Sequence, residues 1–250
     1  MAFSEANPVV FYVFVAVACF MTGFSKAGFG GLMGPVVTVL MSLVMPINQV
    51  LGLLLPILMV GDLFAVTAHW RNWNTRLLLV LLPGAVLGVI AGMYFMQSVP
   101  VTFMKRTLGV LVLIFVILRF VEGVVKQRVQ GKAPLWYGVP LGMMTGFSSS
   151  LAHAGPSPIS IFLLTQQVGP VQFVGTMVAF FTITNWIKLP FYWVNGMVNP
   201  ALITKIIWLL PVVLLGVWVG RKLSRRVDKV LFDRIILVFL ALTAILLLIQ

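Results

Sequence analysis

The chain has 250 residues, of which 61% are hydrophobic and 9% charged, and its formal net charge is +12. Such a composition excludes a water-soluble domain and places the chain in a bilayer. The basic residues sit in brief loops between apolar runs, which fits orientation in a membrane and argues against a nucleic-acid partner.

The first residues, MAFSEANP, lack a basic start and a small-residue cleavage pattern, so the first apolar run is expected to be a retained membrane segment. Apolar runs predict helices over 9–24, 33–45, 47–68, 77–96 and 104–120, then over 135–152, 157–166, 171–192, 203–220 and 231–249. The longer ones reach the roughly 20 residues that a helical span needs. The lone Cys19 builds neither an internal disulfide nor a metal site, and no cofactor is expected.

The two sets of runs match residue by residue. Adding 123 carries Gly23, Phe24 and Ser25 onto Gly146, Phe147 and Ser148, Pro35 onto Pro158, Gly52 onto Gly175 and Asp62 onto Asn185. Further on the shift becomes 128, taking Pro83, Gly88 and Gly92 to Pro211, Gly216 and Gly220, as if five residues were inserted around GMVNPALIT. This is an internal duplication, with repeat 1 over 1–125 and repeat 2 over 126–250. Four crossings per repeat would divide the basic loop residues almost evenly between the two sides. If each Gly-rich stretch instead goes in and comes back, twelve fall on one side, and only Lys105, Arg106 and Lys205 on the other. The uneven split selects an inverted repeat with the basic loops cytoplasmic and both termini outside. The expected fold is therefore all-α and polytopic, each repeat having a Gly-interrupted hairpin or broken helix plus three spanning helices.

In GFSKAGFGG the glycines Gly23, Gly28, Gly30, Gly31 and, just beyond, Gly34 are expected to permit unwound backbone and its close approach. Gly146 and Gly155 do so in GFSSSLAHAGPSP. An ionisable group at bilayer depth needs a reason, and four stand there: Lys26, Asp62, His153 and Lys188. Asn185 and Lys188 share a helix face ahead of Pro190, which should kink that helix. Two lysines against one carboxylate leave a positive excess, which with helix N-termini in the break favours an anion. Ser25, Ser148, Ser149 and Ser150 supply hydroxyls. The bland alternatives stand beside this reading: a private Lys26 to Asp62 ion pair, a Lys188 that snorkels to the headgroups, a packing His153, and serines that only satisfy backbone carbonyls.

The quoted segments, with LPILMVGDLFAV and NWIKLPFY, resemble the TauE/SafE family, the sulfite and organosulfonate exporters also grouped as sulfonate-type permeases, over nearly the whole chain. The resemblance implies a multi-pass transporter of the bacterial inner membrane that moves sulfite, a small sulfonate or a related oxyanion, usually outward. By motif position it points to Ser25, Lys26 and Asp62 in repeat 1 and to Ser148, His153, Asn185 and Lys188 in repeat 2; Ser149 joins them from the residue pattern. Family members often carry a second glycine-rich run where this chain has AHAGPSP. The expected mechanism is alternating access at the repeat interface, with a proton as candidate coupling ion through His153 or Asp62. An anion channel lined by the same residues is the alternative. An enzyme is not expected, since no acid or nucleophile turn accompanies the serines near His153. Exposed apolar faces meet lipid and leave room for a homodimer.

Overall fold

The computed structural model describes residues 8–28, 33–128, 131–223 and 229–249. In chain order the helices are α1 (Pro8–Gly28), α2 (Met33–Ser42), α3 (Ile47–Ala68), α4 (Thr75–Ser98) and α5 (Val101–Arg128). After a 3-10 turn at Leu135–Tyr137 come α6 (Gly138–Ala152), α7 (Pro156–Thr165), α8 (Pro170–Val194) and α9 (Pro200–Ile206). A second turn at Ile207–Leu209 leads to α10 (Leu210–Leu223) and α11 (Lys229–Ile249). Among the described residues, six stretches are long and apolar enough to cross a membrane, and α2 and α7 are shorter apolar helices.

Local sequence explains the boundaries. Prolines open α7, α8 and α9, where a missing N–H costs nothing. Asn74 accepts the N–H of Leu77 at the start of α4, and Asn199 accepts that of Ala201 in α9. Pro56, Pro83 and Pro190 lie inside α3, α4 and α8, and each helix runs on past them. The five-residue insertion read from the sequence falls where α9 and the second 3-10 turn precede α10.

Lipid tails are as apolar as leucine, so membrane helices are held by close packing more than by the hydrophobic effect. The two most extensive helix contacts are α4 with α6 and α10 with α1. Both are glycine seams. A Cβ at Gly88 would overlap the Met143 carbonyl, and one at Gly216 that of Phe20; a Cβ at Gly146 would overlap Ala85, and one at Gly23 would overlap Val213. Under the shifts of 123 and 128 these contacts map onto one another in pairs. Between the seams α3 and α8 lie antiparallel: Gly52 near the start of α3 abuts Met197 beyond the end of α8, while Gly175 near the start of α8 abuts Asn72 beyond the end of α3.

Two pairs of consecutive helices, α1 with α2 and α6 with α7, form hairpins. The backbone N–H of Ala133 donates to Thr165 O at 3.2 Å, and the Phe162 ring sits against Gly138, so α6 goes in and α7 returns to the same end. Likewise α2 runs back along α1, with Val17 and Met21 of α1 beside Val37 and Leu40 of α2. The tips meet at the centre, where a Cβ at Gly34 would overlap the carbonyl of His153.

The glycines act differently from expectation. Backbone at Gly23 and Gly146 is helical, α1 continuing through Gly28 and α6 through Ala152; these two glycines serve the seams. The turn of the second tip is made by His153, which adopts a left-handed φ of 50°. Gly155 stays compact because a Cβ there would press on Phe181, Ser149 and Thr145. Gly30 and Gly31 lie outside the described residues.

Candidate solute-binding site

A cavity of about 150 Å³ opens between the hairpin tips and the antiparallel pair α3 and α8. Its polar end is lined by Ser25 and Lys26 of α1, Asp62 of α3, Ser149 of α6, His153 at the tip and Asn185 of α8. Six of the eight expected ligands thus come together.

In the first half, Lys26 Nζ forms an ion pair with Asp62 Oδ1 and donates to Leu58 O at 2.6 Å. Gly61 makes room for the lysine stem, since a Cβ there would crowd its Cδ. Two of the three ammonium hydrogens are thereby used, and one remains for a ligand. Asn185 Nδ2 donates to Asp62 Oδ2 at 2.6 Å. These two residues are 123 apart, the shift that aligns the two sets of apolar runs, so positions matched by that shift touch each other. Ser25 accepts the N–H of Met33 at 3.1 Å, which satisfies an otherwise orphan donor at the start of α2.

In the second half, Lys188 is fully buried six residues before the end of α8, which excludes a snorkelling side chain. Its Nζ donates to Ser149 Oγ at 3.1 Å and Ser149 O at 3.4 Å, and it lies 3.4 Å from His153 Nδ1. No carboxylate among the described residues forms an ion pair with it. Lys188 therefore stands behind the cavity wall, in contact with two residues that line it. Because Ser149 Oγ accepts from the ammonium, its own hydroxyl proton is left for the cavity. Taking the ammonium as the donor to Nδ1 as well assigns the histidine proton to Nε2. The result is a set of donors backed by a lysine that has no carboxylate within ion-pair distance among the described residues, an arrangement suited to an oxyanion.

Ser148 does not join the site: its hydroxyl returns to Met144 O at 2.7 Å, the ordinary helical role of a serine. Ser150 likewise donates to Gly146 O at 2.7 Å. Residues that the charge argument missed supply the rest of the lining. Thr22 lies three and four residues ahead of Ser25 and Lys26 on the same helix face, a spacing that helical periodicity would have found. Phe173, Met177, Val178 and Phe181 form an apolar wall on α8 at the same kind of spacing.

A packed cluster lies farther along α3 and α8, on the side of Leu51 and Met197. Leu51, Leu55, Met93, Met197 and Val198 pack around the buried Tyr192 ring, whose hydroxyl donates to Ser150 O at 2.7 Å. This plug follows Lys188 by one turn of α8, and its Met93 and Met197 also line the neighbouring cavity that Lys105 borders.

A family model described as Sulfite exporter TauE/SafE matches residues 11–247. No curated protein and no solved structure gives a significant match.

Proposed function

The chain belongs to the sulfite exporter TauE/SafE family, a family of membrane transporters of small anions, and from that premise we propose that it carries sulfite or a small organosulfonate outward by alternating access. The observation that carries the reading is Lys188, a buried lysine with no carboxylate partner among the described residues, hydrogen-bonded to two residues that line one cavity. Burying a lysine without a directly paired carboxylate costs several kcal/mol, roughly, and a site that periodically receives an anion accounts for it. The apolar wall on α8 suits the body of a sulfonate, while Ser149, His153 and the remaining Lys26 hydrogen suit its oxygens.

The halves 1–125 and 126–250 act as inverted copies. Support comes from the antiparallel α3 and α8, the paired glycine seams and the bond between Asp62 and its equivalent Asn185. In such transporters the site lies where the repeats meet, and the repeats rock about it. The basic loops lie in the cytoplasm of a bacterial inner membrane, so the cavity, lined by the halves of α3 and α8 nearest those loops, faces inward. The Tyr192 plug then forms the outer barrier, which favours a carrier over a continuous pore. Chemistry on the solute is not part of this role, and the serines act as hydrogen-bonding groups.

Proteoliposomes loaded with radiolabelled sulfite or methanesulfonate test the reading. Saturable efflux that falls in Lys188→Met is expected; equal efflux from both proteins would remove Lys188 from the mechanism, and no efflux of either anion would defeat the assigned solute class.

A further inference from the structure

Along one face of α8 the lining of the cavity changes character. Phe173, Val174, Met177, Val178 and Phe181 are apolar and Asn185 is polar, and at 1.5 Å per residue this face runs about 18 Å from Phe173 to Asn185. The bonds of Asp62 to Lys26 and Asn185, and those of Lys188 to Ser149 and His153, gather the polar groups at the Asn185 end. The apolar stretch is held in place. The Phe181 ring lies against the second hairpin tip, where a Cβ at Gly155 would come to 3.0 Å from it, and it packs edge-on against Phe180 at 5.4 Å. Met177 Sδ accepts from Ser160 Oγ at 3.6 Å.

A wall fixed in this way discriminates by what a solute carries besides its oxyanion. Asp62 is the one carboxylate among the described lining residues; it sits at the polar end and is already paired with Lys26. An ammonium on the tail would give up its water among Phe173, Met177 and Phe181 with no carboxylate to meet it, and the phenyl faces return only part of that loss by cation–π attraction. A second anionic group on the tail would lose its water among the same residues without a donor. A methyl group loses nothing there and covers the wall.

The geometry points to short-chain alkanesulfonate monoanions as the preferred solutes of this cavity, ahead of amino-substituted and doubly charged counterparts, with Phe181 and Met177 setting the preference. The inference rests on the transport reading above, whose solute class it narrows. The cavity of about 150 Å³ matches the volume of about five waters, room for a sulfonate head and a short tail.

Propane-1-sulfonate and taurine test it, because they differ only in a terminal methyl against a terminal ammonium. Each competes with radiolabelled methanesulfonate for the full-length protein in detergent. Propane-1-sulfonate should bind at least about tenfold more tightly than taurine. It should also bind more tightly than methanesulfonate, each further methylene adding up to about fourfold. Phe181→Ala and Met177→Ala should flatten that rise, weakening propane-1-sulfonate more than methanesulfonate. Equal competition by taurine and propane-1-sulfonate, an affinity flat with chain length, or a rise unaltered in both variants would overturn the proposal. Failure of the transport reading alone looks different: the affinity order would hold in detergent while liposomes showed no efflux. Absence of methanesulfonate binding would overturn both.

Discussion

The two hairpins carry their lysines in opposite ways. In the first, Lys26 stands on α1 and meets the carboxylate of Asp62 on α3; in the second, the position equivalent to Lys26 is Ser149, and the lysine has moved to α8 as Lys188. One half therefore holds a neutral ion pair and the other a cation held by neutral groups. Positions matched by the same shift therefore differ in charge, one lysine being paired directly with a carboxylate and the other hydrogen-bonded to neutral groups.

The largest effect should come from splitting the neutral half. Asp62→Ala strands Lys26 in the interior and removes the acceptor of Asn185, and should cost about 3–5 kcal/mol. Thermal unfolding in detergent measures it. The double change Lys26→Met with Asp62→Leu, which removes both charges, should recover most of that loss; a double variant as unstable as the single one would show that the pair is not the origin of the cost.

Lys188→Met should invert this pattern. Because no carboxylate is stranded, the melting temperature should hold or rise, whereas sulfite or methanesulfonate efflux should fall at least about tenfold, the effect of losing a charge worth 1.4 kcal/mol or more in the loaded state. A fall in both together would make Lys188 a packing residue like any other.

The seams test whether the halves are equivalent where charge is not involved. Gly88→Ala presses on Met143 and Gly216→Ala on Phe20, and each should cost about 1–3 kcal/mol because backbone, not a side-chain tip, must move. Matching losses would express the duplication in energy. A loss at one seam only would mean that the two halves have diverged in packing as they have in charge.

These contrasts also show what the sequence made legible. Helix positions followed from apolar runs, because a span needs about 20 apolar residues and little else in the chain supplies them. Lys26, Asp62, Asn185, Lys188 and His153 stood out because polarity at bilayer depth needs a reason, and all five lie in or behind one cavity wall. The glycines were half read: Gly23, Gly34 and Gly146 admit a close neighbour as expected, but the backbone at Gly23 and Gly146 is helical instead of unwound. Gly23 reads the same whether it loosens a helix or admits a neighbour, and its neighbour Val213 is distant in sequence. Ser148 and Ser149 are adjacent and chemically alike, and only the direction of a helix face separates the one that caps its own turn from the one that meets Lys188. The plug and the apolar wall are built of ordinary hydrophobic residues, which carry no signal until the fold brings them together.

The smallest effect concerns that plug. Tyr192→Phe keeps the ring among Leu51, Leu55 and Met197 but removes the bond to Ser150 O, which should lower stability by about 0.5–1.5 kcal/mol. If the plug is the barrier that must part for release, the same energy is taken from the closed state, and solute exchange should quicken by up to about tenfold. Proteoliposome exchange compared with detergent melting separates the two consequences. Faster exchange with a slightly lower melting point makes Tyr192 the latch on one side of the cavity. A lower melting point with unchanged exchange leaves the ring as packing and puts the barrier elsewhere along α3 and α8.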